Sequence, residues 1–287
     1  MHVLLRPEHQ SWRLRYIASD LHSHPFDLTD REQVRQTVQR IRPEWVFHLA
    51  AYGAYPTQTG FARMVDVNVT SAASLLDACS DVEAFISTGS SSEYGYKDHP
   101  PREDEILEPN SHYAITKAAA THYCQFMARK TGVNAITVRL YSIFGPYEEP
   151  SRLIPTLIAY GLHGKLPPLV SPATARDFVY VDDAVDALIA LAQTVHPGAI
   201  YNLCTGAQTS LGSVVETARK LMGIADEPVW SSMEQRSWDT DIWVGSPDAM
   251  AKDIGWRSKI DFATGLQRTI DWVTTSRLPA YLRELPK

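Results

Sequence analysis

Short β-rich runs alternate with longer stretches of helical periodicity through the first two thirds of the chain, and this order constrains the fold more than any other feature. Strands are predicted at 2–5, 45–50, 84–88, 135–141, 178–181 and 199–203, and helices at 30–41, 61–79, 111–130 and 182–194. Apolar residues in the helical stretches recur at three- and four-residue steps, as a helix lying on a sheet requires. Strand-helix-strand alternation demands crossover connections and therefore parallel strands. The expected fold is α/β, a doubly wound parallel sheet. After Tyr141 the texture changes: Pro146, Pro150, Pro155, Pro167, Pro168 and Pro172 punctuate a stretch with few strand signals. Helices follow from about Leu211 and over 262–275, and this later material reads as a smaller, mixed lobe.

Composition narrows the function classes. With 44% hydrophobic and 21% charged residues over 287 positions, the chain can bury a core. A net charge of -6, from 27 basic and 33 acidic residues, argues against broad binding to nucleic acid or anionic membrane. No apolar run approaches the ~18 residues of a membrane helix, and residues 1–6 are too short an apolar stretch for a signal peptide. Cys79, Cys124 and Cys204 lie far apart, with no CxxC spacing. The expected compartment is the reducing cytoplasm. Asp20, His22, His24 and Asp27 have the residue types of a metal site but read as loop and pocket residues, so no metal is expected.

The main chemical signal is Tyr113-Ala114-Ile115-Thr116-Lys117. Tyrosine and lysine at i and i+4 share one helix face. A free phenol, with a pKa near ~10, is a poor acid or base at neutral pH, and an adjacent ammonium stabilises the phenolate. Alone, such a pair is equally a surface contact. It gains weight from the strand-to-loop segment 85–95, where Ser90 or a neighbour can donate a hydrogen bond to a substrate oxygen; by itself that loop is an ordinary polar turn.

Taken in order, these motifs resemble the extended short-chain dehydrogenase/reductase family (NAD-dependent epimerase/dehydratase), in its nucleotide-sugar branch. The likeness runs through Asp27-Leu28-Thr29-Asp30, His48-Leu49-Ala50-Ala51, Asn68-Val69-Thr70, segment 90–95, Tyr113 to Lys117, segment 139–146, segment 176–183, Tyr201-Asn202-Leu203 and Gly255-Trp256. It implies a Rossmann-like dinucleotide domain over 1–145 plus about 178–204, and a substrate lobe over about 146–177 plus 205–287. It implies Tyr113 as catalytic acid/base, Lys117 as its partner and holder of the nicotinamide ribose, and Ser90 as the catalytic hydroxyl. Asp27 and Leu28 are implied to flank the adenine, Leu49, Ala50 and Ala51 to pass beneath the cofactor, and Tyr141 to touch it. Ser90 and Ser91 are assigned to the substrate, as are Arg176 and Arg236, whose planar forks suit a pyrophosphate. The partners implied are a nucleoside-diphosphate sugar and a second copy of the chain, through helices near 68–79 and 111–130.

The sequence departs from this family at its start. The first glycine is Gly53, so the glycine-rich loop that would hold the dinucleotide pyrophosphate has no counterpart in the opening residues. Segment 2–6 reads as the second strand of the family pattern, and a strand-loop-helix unit of roughly 25 residues is expected upstream of Met1; the other possibility is a natural truncation. Dehydratases of this kind carry an acidic pair at the second and third residues before the Tyr of Tyr-Gly. Those positions here are Ser92 and Ser91, with Glu93 one residue too late, which demotes elimination of water. Arg6, at the end of its strand, suits the 2′-phosphate of NADP(H), whereas NAD(H) calls for an acid there; the other reading is a surface arginine. The leading expectation is NADPH-dependent reduction of a 4-keto-6-deoxy sugar nucleotide. The alternatives are a 4-epimerase holding NAD and, in a different class, an inert sugar-nucleotide binder.

Overall fold

The computed structural model describes residues 1–7, 12–55, 57–234 and 240–276. The chain divides into two compact units, one of Met1–Gly95, Ile106–Arg139 and Leu188–Tyr201, the other of Tyr96–Glu105, Leu140–Ala187 and Asn202–Lys287.

The first unit begins with two parallel strand pairs. β1 (His2–Leu5) pairs in parallel with β2 (His22–Pro25) in a sheet of their own, and β3 (Trp45–His48) pairs in parallel with β4 (Ala84–Ser90). β3 and β4 belong to a four-stranded sheet of order β3-β4-β5-β9, with β5 at Ala135–Leu140 and β9 at Ile200–Leu203. The strands expected from the sequence are therefore divided among three sheets, the predicted strand at 178–181 lying in a third, with β3 at an edge of the four-stranded one. Trp45 and Phe47 on that edge remain 38% exposed. β2 was not foreseen, because His-Ser-His-Pro has neither apolar alternation nor β-branched residues; pairing with β1 imposes the extended form.

Helices α1 (Arg31–Ile41) and α3 (Ser71–Ala78) pack together against these strands. Phe26, Val34, Val38, Leu75, Leu76, Phe85, Cys124 and Ala135 form their common core. The helix expected over 61–79 is interrupted. A short α2 (Phe61–Met64) passes into a π-helical stretch at Val65–Thr70 before α3 begins. A widened turn of this kind reorients one side chain without ending the helix, and the residue it buries is Asn68. α4 (His112–Thr131) is capped by the Ser111 side chain, which accepts from Ala114 N, and ends at Gly132 in the left-handed region.

The second unit combines parallel β6 (Ser142–Phe144) and β8 (Phe178–Tyr180) with a short antiparallel pair, β7 (Ala175–Arg176) and β10 (Thr209–Ser210). Helices α5 (Leu153–Gly161), α7 (Leu211–Met222) and α9 (Phe262–Thr275) share its core, in which Phe144 meets Phe178 edge-on at 5.8 Å between ring centroids. α6 (Val181–Ala192) follows β8, and α8 (Asp248–Ile254) precedes α9. α5 was missed because Pro155 reads as a breaker. It occupies the first turn, where the absent N–H has no intrahelical partner to lose.

Two features of the first unit yield tests. Gly95 has φ +72 and its backbone lies against the Glu108 carbonyl, where a Cβ would collide, whereas Gly132 at φ +78 has open space around it. Gly95→Ala is expected to lower the unfolding free energy by about 3 kcal/mol or more, and Gly132→Ala by only about 1 kcal/mol, in urea titrations. His48 is buried, and burial first, with the Lys117 charge second, pulls its imidazole from 6.5 down to about 3. Between pH 6.5 and 3 the unfolded chain takes up a proton that folded His48 refuses. Stability therefore falls as pH drops through that window, with a slope approaching ~1.4 kcal/mol per pH unit from this residue. Urea titrations at stepped pH should show a shallower slope in His48→Gln; equal slopes in the two proteins would refute the assignment.

Candidate active site

β4 is buried almost throughout and ends at Ser90, where the chain turns into a short 3-10 helix at Ser91–Tyr94. The turn is held by a capping box: Ser92 N donates to Ser90 Oγ at 3.2 Å, and Ser90 N donates to Glu93 Oε1 at 2.8 Å. The hydroxyls of Ser90 and Ser92 are 2.7 Å apart. Ser91 is buried and Ser90 half-buried.

Glu93 does more than close the turn. Its Oε2 accepts from Arg139 Nε on β5 at 2.9 Å, and its Oε1 also accepts from Thr121 Oγ1 on α4 at 3.1 Å. Arg139 in turn donates through Nη1 to the Tyr94 hydroxyl at 2.7 Å, with its guanidinium over the same ring. Glu93 is 0% and Arg139 1% exposed, so this is an ion pair wholly withdrawn from water. Neither residue was assigned a role from the sequence. The available signal was an arginine in the strand Ala135–Leu140, whose other residues carry no charge, so that it needs a buried partner.

α4 packs along β4 and the 91–94 turn and carries Tyr113 and Lys117 one turn apart. Tyr113 is half-buried and Lys117 is 3% exposed. Burial pulls the Lys117 ammonium below its ordinary value, while the charge of Glu93 acts in the opposite sense. Beside Lys117, Thr116 Oγ1 accepts from Asn68 Nδ2 at 2.9 Å. The same Asn68 amide donates to Tyr52 O and accepts from Tyr52 N, at 2.7 and 2.8 Å, so it ties the loop after β3 to α4. Leu49, Ala50 and Ala51 precede that tie and are exposed at the carboxyl end of β3. His48, Glu93, Asn68, Thr116 and Lys117 thus gather around the beginning of α4 within the first unit.

Arg6 follows β1 and is exposed; Asp27 follows the neighbouring β2, whose last residue, Pro25, pairs with Leu5. The Asp27 carboxylate accepts from Thr29 N and Oγ1 at 2.9 and 2.7 Å and from Arg63 Nη2 at 2.6 Å. Burial raises its pKa, but these bonds and the Arg63 charge outweigh burial and hold it at about 2. Leu28 beside it is half-buried. In the second unit Tyr141 is buried with its ring against Gly245, and Arg176 donates to Ala175 O at 2.7 Å with its guanidinium over Trp243. Arg236 lies outside the described residues. Among the described residues, no group of three or more histidines, cysteines or carboxylates is arranged to hold a metal ion, and no helix is long and apolar enough to cross a membrane.

The arrangement offers a hydroxyl, a phenol and a buried ammonium on rigid elements, the composition of a site that moves a proton to or from an oxygen. The chain is similar to several known proteins. A probable dTDP-glucose 4,6-dehydratase of Sinorhizobium fredii is 23% identical over 270 residues, 86% of this chain and 76% of that protein. A trifunctional UDP-glucose 4,6-dehydratase/UDP-4-keto-6-deoxy-D-glucose 3,5-epimerase/UDP-4-keto-L-rhamnose-reductase of Arabidopsis thaliana is 25% identical over 279 residues, 94% of this chain but only 41% of that longer protein. The solved structure of MoeE5 in complex with UDP-glucuronic acid and NAD superposes with a TM-score of 0.80 at 28% identity, covering 89% of this chain and 86% of the other. A sequence profile matches residues 3–204, and by that match the chain belongs to the NAD-dependent epimerase/dehydratase family.

Proposed function

We propose that this chain exchanges hydride at C4 of a nucleoside-diphosphate sugar, with NADPH-dependent reduction of a 4-keto-6-deoxy sugar as its reaction. The observation that carries this reading is the fate of Glu93. Elimination of water needs a placed acid and base beside the catalytic hydroxyl. In the serine turn Ser91 and Ser92 stand where the acids of a dehydratase are expected, and the one carboxylate, Glu93, is committed to Arg139, Thr121 and Ser90 N. What remains in the turn and on α4 suits carbonyl chemistry without elimination. The dehydratase names of the relatives therefore do not transfer.

The residues fit a nicotinamide dinucleotide at the reacting end: a fully buried ammonium one helical turn from a phenol is the donor set that grips a ribose and serves a proton transfer. When bound, the dinucleotide supplies the hydride. Ser90 hydrogen-bonds the C4 oxygen and polarises the carbonyl, and Tyr113 delivers its phenolic proton to that oxygen. The Lys117 charge offsets the phenolate left behind, which solvent reprotonates. Leu49, Ala50 and Ala51 form the floor beneath the cofactor, Asp27 and Leu28 flank its adenine, Tyr141 contacts it, and Arg6 reads the 2′-phosphate. Ser91, Arg176 and Arg236 hold the sugar nucleotide, the arginines at its pyrophosphate. The dinucleotide is assigned to residues 1–145 plus about 178–204, and the sugar nucleotide chiefly to about 146–177 plus 205–287. A second reading, NAD-dependent 4-epimerisation with Tyr113 working in both directions, is favoured by the NAD and UDP-sugar bound in the MoeE5 structure.

The chain also suits a homodimer. Ile115, Ala119, His122 and Phe126 recur at helical spacing on α4, with Ile115 46% and Phe126 48% exposed, and a second α4 would cover this stripe. Sedimentation of Phe126→Glu should give a monomer with near-parental thermal unfolding; a parental mass would remove the stripe from the interface.

Calorimetric titration decides the cofactor. NADPH should bind about tenfold or more tightly than NADH, and Arg6→Ala should abolish the preference, a loss of about 1.4 kcal/mol or more. Preference for NADH moves the assignment to the epimerase; if neither binds, recovery of binding in a chain extended upstream of Met1 keeps the enzyme reading, and continued silence there moves it to an inert sugar-nucleotide binder. Tyr113→Phe should retain dinucleotide binding while kcat falls by roughly a hundredfold or more.

A further inference from the structure

The Glu93–Arg139 pair lies at the junction of every element that contributes a reacting group, and the proposed reaction leaves it without a part. A buried ion pair is a poor device for stability, since apolar side chains of similar volume do as well. Its placement is informative. One carboxylate collects the backbone of Ser90, a threonine of α4 and an arginine of β5, at 2.8, 3.1 and 2.9 Å. A Cβ on Gly89 would meet Glu93 Oε1 at 2.7 Å, so the carboxylate is seated directly under the backbone that presents Ser90. Thr121 lies one turn beyond Lys117, so the Glu93 bond to it pins the catalytic segment of α4 to the serine turn.

We propose that Glu93 is a positioning residue, which locks the Ser90 turn to α4 and gives the buried Lys117 ammonium its counter-charge. The inference rests on the assignment of Ser90, Tyr113 and Lys117 as reacting groups. The charges that act on Lys117 are those of Glu93 in the serine turn and Cys124 on its own helix, while Lys117 acts in turn on His48 of β3, with Tyr113 one turn before it. His48 is held neutral by burial, and burial also raises the Cys124 thiol, so neither supplies negative charge near neutral pH. Glu93 is the carboxylate in this group. With Arg139 and Lys117 it makes a cluster of net charge +1, which a phenolate at Tyr113 completes. The pair thus lets a cation stay buried before the proton leaves Tyr113, without neutralising the charge that the phenolate needs.

Glu93→Gln keeps the shape and the acceptor for Ser90 N but deletes the charge. Glu93→Gln/Arg139→Met also removes the stranded guanidinium, and carries the test if the single variant does not fold. Lys117 protonation is read by NMR of lysines labelled at Cε, the Lys117 signal being identified by its loss in Lys117→Met. In both variants the Lys117 midpoint should fall by about one pH unit or more. With an accepted sugar nucleotide, kcat should fall about ten- to a hundredfold while KM changes by less than about threefold. A parental Lys117 midpoint in the folded double variant overturns the proposal and leaves the pair a packing device. A parental midpoint with a lowered kcat overturns the counter-charge. The NMR needs no substrate, so a parent protein that turns over no sugar nucleotide refutes the proposed reaction while the Lys117 titration still decides the role of Glu93.

Discussion

An arginine with 1% of its side chain exposed, near the end of a buried strand, dictates much of the arrangement around it. A guanidinium cannot shed its proton at any ordinary pH, so Arg139 must be met by a charge and by hydrogen-bond acceptors. Glu93 and the Tyr94 hydroxyl meet those demands. Both lie in one short helical turn after β4, so satisfying Arg139 fixes the path of that turn. The same carboxylate then has an oxygen left for Ser90 N and for Thr121. Removing either charge alone would strand the other in the core, a loss of about 3–5 kcal/mol, larger than that of most side-chain truncations. The turn that presents Ser90 is therefore held by electrostatics that tolerate few alternatives.

Much of this was legible in the residues. That Tyr113 and Lys117 lie on one helix was readable because a four-residue spacing on a long helix is a geometric statement, and Ser111 and Gly132 bound that helix with ordinary caps. The β4 end was readable because the buried run through Ala84–Ser90 stops at a cluster of hydroxyls. Elements whose form is imposed from outside were not. β2 is extended because β1 pairs with it, and α5 begins through a proline that a local reading treats as a stop. Asn68 fell inside a predicted regular helix. Only the π-helical stretch shows that its amide serves the loop after β3 and Thr116 at once. The Glu93–Arg139 pair joins residues 46 positions apart, and no local pattern reports that separation.

The second unit solves a related problem with one buried carboxylate and no cation. Asp177 is 0% exposed; burial drives its carboxyl upward, against bonds from Thr205 N and Oγ1 at 2.9 and 2.7 Å and from Gly206 N at 3.0 Å. Those bonds gather the chain after β9 onto the residue beside Arg176. Asp183 acts similarly at the start of α6, where one oxygen accepts from Ser258 Oγ, Lys259 N and Ile260 N. Backbone N–H groups can satisfy a buried carboxylate as completely as an arginine does. They do so without placing a second charge in the core.

This contrast bears on why Glu93 is met by an arginine where Asp177 and Asp183 are met by amides and hydroxyls. Asp177 and Asp183 only have to hold loops, and dipoles suffice for that. Around α4 the proposed reaction asks a lysine with 3% of its surface exposed to stay charged, and dipoles alone screen such a charge poorly at low local dielectric. A full negative charge in the same pocket meets that need. Left unpaired, it would also cancel Lys117 and remove the attraction for a phenolate at Tyr113. Arg139, bonded to Glu93 Oε2, restores the balance, so the three groups together carry one net positive charge. The ion pair is thus better explained by the charge state of its neighbour than by the stability of the fold.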